Sequence, residues 1–156
     1  MVKIIFNGKP LDFYFIREKL KALPLSLEPF KQQMSAVILF GSLAKGMETP
    51  LSDVDLAVLY DKNLNDAELE KLHGQVYEII SDLLTTDSID LINLNTAPLP
   101  MRYGAIRQAK ILILNNRDAY VDFWEHTVKQ YLDFKPLLDE CNKTLLDTLA
   151  RRTLHG

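Results

Sequence analysis

Two aspartates, Asp53 and Asp55, stand two residues apart where a polar stretch gives way to an apolar run over residues 54–60. If that run is a strand, side chains alternate across it. Both carboxylates then face one way, while Val54 and Leu56 enter the opposite, apolar layer. Paired carboxylates repel unless a cation lies between them, and hard oxygen donors of this kind suit magnesium or manganese. A third carboxylate, Asp90, interrupts another apolar run made by Ile89, Leu91 and Ile92. Buried and ionised without a partner it would be costly. Beside the strand of Asp55 it completes a three-aspartate site that can hold metal and draw a proton from a hydroxyl. Asp87 is the nearest rival, but its place ahead of the run suits a turn.

Upstream of the pair, Gly41 and Ser42 follow a continuous apolar run over residues 35–40. A glycine lets the backbone come close to a ligand. Free amide hydrogens at a helix start, with the Ser42 hydroxyl, form a cradle for phosphate. Lys45 either adds a point charge toward that phosphate or is a solvated surface lysine. Gly46 can turn the chain back toward the aspartates.

The order glycine-serine, ten residues (43–52), aspartate-x-aspartate resembles the nucleotidyltransferase superfamily that includes DNA polymerase beta. The resemblance is close over residues 36–60, and Asp90 fits the family's third carboxylate. More narrowly, the chain resembles the minimal nucleotidyltransferase (MNT, MntA-like) antitoxins encoded with HEPN-domain toxins. Residues 89–98 and the run Tyr120-Val121-Asp122-Phe123 add to that likeness. The resemblance implies transfer of AMP from ATP to a hydroxyl, a tyrosine of the cognate HEPN toxin. It assigns the triphosphate to Gly41, Ser42 and Lys45, metal (Mg2+ or Mn2+) to Asp53, Asp55 and Asp90, and activation of the hydroxyl to Asp90. Lys45 stands where the family often has arginine, keeping the charge but losing the bidentate fork. Two rivals are a small-molecule nucleotidyltransferase and an antitoxin that neutralises by binding alone. The first usually needs more chain to enclose its acceptor, and the second needs none of the five residues Gly41, Ser42, Asp53, Asp55 and Asp90.

The elements that must position these groups read as an α/β layer structure. Strands are expected at residues 2–6, 35–40, 54–60, 88–94 and 111–114. Helices are expected at 12–23, with Pro24 ending the first, and at 27–34, 65–84, 98–109 and 118–152. Asn65 and Glu68 stand at capping-box spacing, and Leu69, Leu72, Val76, Ile79, Ile80 and Leu83 form one apolar stripe. Pro136 is expected to kink or divide the last helical segment. The expected fold is a nucleotidyltransferase-type small mixed sheet with helices packed mainly on one side, in a single domain spanning 1–156.

Bulk composition narrows the partners. The 156 residues carry a formal net charge of −3, against the basic field used to grip long nucleic acid. One nucleotide neutralised by metal remains compatible. Charge and size weigh against a template polymerase. The single cysteine, Cys141, allows no internal disulfide and suits a cytoplasmic protein. No apolar run is long enough for a targeting or membrane segment. His73, His126 and His155 lack zinc spacing. Arg102 and Arg107 read as helix-surface arginines, and Trp124, Val128 and Tyr131 as a core stripe. Cys141 shares a stripe with Leu138, Leu145 and Leu149, expected in a core or an interface. The C-terminal leucines suit packing on the sheet or a partner surface, and an oligomer is compatible with them.

Overall fold

The computed structural model describes residues 10–154. The strand expected at residues 2–6 and His155 lie outside the described residues. Four strands, β1 (Met34–Phe40), β2 (Val54–Tyr60), β3 (Ile89–Asn93) and β4 (Lys110–Leu114), form one sheet in the order β3-β2-β1-β4. β1 runs antiparallel to both β2 and β4, whereas β2 and β3 are parallel. A parallel pair needs a long crossover, and α4 (Asp66–Leu84) supplies it. The other helices are α1 (Phe13–Leu20), α2 (Leu23–Ser26), α3 (Gly41–Lys45), α5 (Leu99–Ile106) and α6 (Arg117–Leu154).

Central strands covered on both faces explain the largely apolar runs of β1 and β2, broken in β2 by Asp55. On one face Val37, Leu39, Val54, Leu56, Val58 and Tyr60 meet α1, α2 and α4 in the larger core. On the other, Ala36, Ile38, Ala57 and Leu59 meet α5 and the start of α6 in a smaller one. The helices are weighted to one face, as expected, and a second layer also covers the face that carries the site. No helix among the described residues is long and apolar enough to cross a membrane.

Local chemistry sets the boundaries. Asn65 caps α4 through a complete capping box with Glu68, and Leu69, Leu72, Val76, Ile80 and Leu84 are buried beneath it. Asp12 caps α1, accepting from the backbone N–H groups of Tyr14 and Phe15. The front helix departs from expectation, because it stops at Leu20 and a second one opens at Leu23. Pro24 therefore lies in the first turn of α2, where its missing N–H costs no hydrogen bond. The segment expected as a helix at 27–34 is a 3-10 turn over Glu28–Gln33, with Met34 drawn into β1.

α6 runs unbroken through Pro136 over 38 residues. The backbone carbonyl that this proline leaves unpaired belongs to Leu132, whose exposed position gives it access to water. Beyond the sheet the helix has little to pack on. Leu137, Leu145, Leu146, Leu149 and Cys141 are exposed, so neither Cys141 nor these leucines belong to the core. The stripe Trp124, Val128, Tyr131 is only partly a core stripe: Val128 packs on the smaller core, while Trp124 is exposed and Tyr131 stacks on Tyr103.

Two side chains stitch the site-bearing strands to their surroundings. Asn95 accepts from the Tyr60 N–H and donates to the Tyr60 carbonyl, prolonging the β2–β3 pairing past the end of β3. His73 on α4 lies between the Tyr60 hydroxyl (2.8 Å to Nδ1) and the Leu91 carbonyl (3.2 Å to Nε2). A carbonyl only accepts, so Nε2 carries the proton and Nδ1 accepts from Tyr60. Burial lowers the His73 pKa, against an opposing pull from the Leu91 carbonyl. The unfolded chain then binds the proton more readily than the folded one. Stability is expected to fall as pH drops below about 6.5, and to level off once His73 is protonated in the folded state too. Thermal melts of wild type and His73→Gln across pH 5–8 check this: the wild type should lose more stability than the variant as pH falls, and parallel curves would contradict it.

Candidate active site

The site forms where β1 gives way to α3. Phe40, the last residue of β1, pairs in register with Asp55 on β2. The next residue, Gly41, takes a positive φ of 69° and turns the chain into α3 against that carboxylate. A Cβ at Gly41 would lie 2.0 Å from Asp55 Oδ2, inside contact distance, so glycine is required for space as well as for backbone angle. The first turn of α3 receives no side-chain cap, and amide hydrogens of its opening residues are free for a ligand. Ser42 sits half-buried in that turn, and Lys45 is exposed at its end.

Gly46 closes α3 in the left-handed conformation, with Met47 N–H bonded to the Ser42 carbonyl. The loop that follows is internally tied. Thr49 N–H donates to Ser52 Oγ at 2.8 Å, and Ser52 N–H donates to the Thr49 carbonyl at 2.9 Å. Glu48 forms an ion pair with Arg17 on α1. A backbone hydrogen bond and the Arg17 guanidinium hold the Glu48 carboxyl below the usual carboxylate range. This loop delivers Asp53 to the start of β2.

Asp55 and Asp90 are register partners across the parallel β2–β3 pair. Alternation puts Asp55 with Ala57 and Leu59, and Asp90 with Ile92, on the face that carries α5. Asp55 is half-buried, whereas Asp53 and Asp90 are exposed. Burial, then the charge of Asp90, then that of Asp53 push the Asp55 carboxyl above its ordinary range. The three aspartates are thus electrostatic neighbours. Among the described residues no three acidic, histidine or cysteine side chains close into a metal cage. The aspartates form an open acidic edge, in which ionised oxygens repel and a hard divalent cation would add attractions to each carboxylate that outweigh the repulsion between them. Carboxylate donors crowded in this way fit Mg2+ or Mn2+.

A cleft of about 360 Å³ opens beside this edge, between the sheet and α5. Gly41, Lys45 and Asp90 line one part of it, so three of the residues singled out in the sequence share one space. Ser42 and Asp53 flank it without lining it. The remaining wall includes Met101, Gly104 and Gln108, which sequence reasoning did not single out. Met101 and Gly104 share one face of α5 and Gln108 follows its end, but a methionine, a glycine and a glutamine carry no motif. Arg102 is half-buried and Arg107 exposed, and neither lines the cleft.

The polymerase beta nucleotidyltransferase family matches residues 27–118. No curated protein matches the chain by sequence. Several solved structures share its fold. A chain of a toxin–antitoxin crystal structure with AMP-PNP is 20% identical, with a TM-score of 0.62 over 87% of this chain and 99% of that one. A chain of a complex between a tri-AMPylated HEPN toxin of Shewanella oneidensis and its MNT antitoxin is 18% identical, with a TM-score of 0.63 over 84% and 98%. A chain of an MntA–HepT toxin–antitoxin is 18% identical, with a TM-score of 0.62 over 83% and 98%. At these identities the likeness is one of fold.

The two positive-φ glycines give a paired test. Alanine at either position meets backbone strain of roughly 1–2 kcal/mol, but only at Gly41 does it also strike the Asp55 carboxylate. Gly46→Ala should lower the melting temperature with nucleotidyl transfer retained. Gly41→Ala should lower both, with transfer reduced about 10²-fold or more by displacement of Asp55. Equal transfer rates in the two variants would show that the Gly41–Asp55 contact has no bearing on the chemistry.

Proposed function

Because the chain belongs to the polymerase beta nucleotidyltransferase family, we propose that it transfers AMP from ATP to a hydroxyl, with a tyrosine of a cognate HEPN toxin as acceptor and neutralisation of that toxin in the cytoplasm as the outcome. The observation that carries this reading is the pairing of Asp55 with Asp90 on one face of the sheet, over the Gly41 turn. Burial and the neighbouring charges of Asp90 and Asp53 disfavour an ionised Asp55, and a carboxylate disfavoured in this way beside free amides marks a ligand site. The fold likeness to complexes of MNT antitoxins with HEPN toxins supports the choice of acceptor.

The roles divide as follows. Amides at the start of α3, with the Ser42 hydroxyl and the Lys45 ammonium, bind and orient the triphosphate of ATP. Asp53, Asp55 and Asp90 would hold Mg2+ or Mn2+. When bound, a divalent metal polarises the α-phosphate and offsets the charge that builds on the departing pyrophosphate. Asp90, exposed at the mouth of the site, takes the proton from the acceptor hydroxyl at a carboxylate oxygen. The hydroxyl oxygen then bonds to the α-phosphorus in line with the leaving group, and the bond to the bridging oxygen of pyrophosphate breaks. An exposed Asp90 suits an acceptor presented by another protein, because the hydroxyl arrives from outside the fold. The net charge of −3 weighs against a nucleic-acid acceptor.

The test is direct. Purified protein, ATP, magnesium and the cognate toxin are expected to give toxin with the mass of one or more added AMP groups. Asp53→Asn and Asp55→Asn should abolish the mass gain with the fold intact by circular dichroism. Asp90→Asn should slow it by roughly 10²–10⁴-fold, the usual contribution of a general base. Transfer that survives in the Asp53→Asn, Asp55→Asn double variant would rule the mechanism out. A tight complex with unmodified toxin would favour neutralisation by binding alone.

A further inference from the structure

We infer that Gln108, in the wall of the cleft between the sheet and α5, selects adenine in the nucleoside half of the donor lodged there; the inference rests on the nucleotidyl-transfer reading above and adds to it the residue that enforces its preference for ATP. Gly41 and Lys45 belong to the cleft wall. A molecule whose phosphates lie against α3 therefore extends into the same space. The volume of about 360 Å³ falls at the small end of the range for small-molecule sites. Away from the charged groups the wall is apolar, with Ile92 on β3 and Met101 and Ala105 on α5. Met101 is half exposed despite its apolar side chain, so it presents a deformable surface to the cleft and not to the core. Such a surface suits the flat apolar face of a base.

Gly104 is a second observation. It lies inside α5, where glycine is among the poorest helix formers. A Cβ there would meet no atom within 4 Å, so neither packing nor a special backbone angle calls for glycine. What its bare surface does is keep the cleft wide. Gly74 on α4 is equally open but does not line this cleft, which makes it a control.

Gln108, just past the end of α5, is the one neutral amide in the cleft wall. A glutamine amide donates and accepts from one end. It matches the N7 acceptor and N6 donor of adenine, whereas guanine offers two acceptors, N7 and O6, on the same edge and leaves the amide oxygen unpaired.

The experiment uses the full chain with Mg2+ and three probes: ATP, GTP and inorganic tripolyphosphate, with affinities from calorimetry and stability from thermal melts. Gly104→Ala and Gly74→Ala should both raise the melting temperature, by roughly 2–4 °C, and Gly74→Ala should bind all probes as wild type does. Gly104→Leu should keep its fold and its tripolyphosphate affinity but bind ATP at least tenfold more weakly. Gln108→Ala should shrink the preference for ATP over GTP by roughly 5- to 150-fold, and Gln108→Arg should turn it toward GTP. Unchanged ATP affinity in Gly104→Leu, or an unchanged ATP-to-GTP ratio in Gln108→Ala, overturns the inference and leaves nucleotidyl transfer standing. A Gly104→Leu variant whose KM rises for the protein acceptor and not for ATP also overturns it, by giving the cleft to the acceptor. A wild-type protein that binds none of the three probes overturns both readings.

Discussion

The contact between Gly41 and Asp55 constrains everything around it. The chain leaves β1, reverses through a positive φ and enters α3 in a space already claimed by a carboxylate from the neighbouring strand. No side chain fits there. The turn and the acid are therefore parts of one object: the antiparallel register of β1 with β2 sets where Asp55 lies, and the turn can only be made by a residue without a Cβ. The amides at the start of α3 and the carboxylate of Asp55 are brought to the same strand end by this one piece of geometry. Phosphate and metal chemistry need both within reach of one ligand.

The sheet then adds the third acid through strand pairing alone. β3 is parallel to β2, with Asp90 directly beside Asp55, and strand alternation sends both to the α5 face. That choice of face separates tasks. The larger core, under α1, α2 and α4, fixes the strands. The smaller core is shorter toward the strand end, where it gives way to the open cleft. Asn95 ties the far end of β2 to the chain just past β3, and His73 ties it to Leu91 in the middle of β3, so the acidic end can carry net repulsion without prising the strands apart.

What the sequence disclosed follows the range of the forces involved. β2 and the capping box of α4 were legible to the residue, since both are local: an apolar run bounded by acids, and an Asn–Glu pair that satisfies its own backbone. The acids Asp53 and Asp55 and the Gly41-Ser42 turn were legible from spacing. The pairing of Asp90 with Asp55 was an inference from context, and the register of two strands separated by a 19-residue helix supplied what spacing lacks. Pro24 misled because a proline that can end one helix can equally begin the next, and only tertiary contacts choose. For Cys141 and its leucines only the core alternative fails, because an apolar stripe reports a face and not what meets it. The wall of the cleft was invisible for a related reason. Met101, Gly104 and Gln108 acquire meaning only when α5 folds back over the strand that bears Asp90.

The ion pair of Arg17 with Glu48 carries one more consequence. The region shared with the family begins at residue 27, so Arg17 and all of α1 lie outside it. Yet Glu48 sits between α3 and Asp53 with one carboxylate oxygen buried and the other on Arg17. A truncated chain trimmed to the shared region would leave a partly buried charge uncompensated in the loop that precedes the acidic pair. The span that steadies this loop is therefore longer than the span shared with the family, and the amino-terminal helix braces the approach to the acidic edge from outside it.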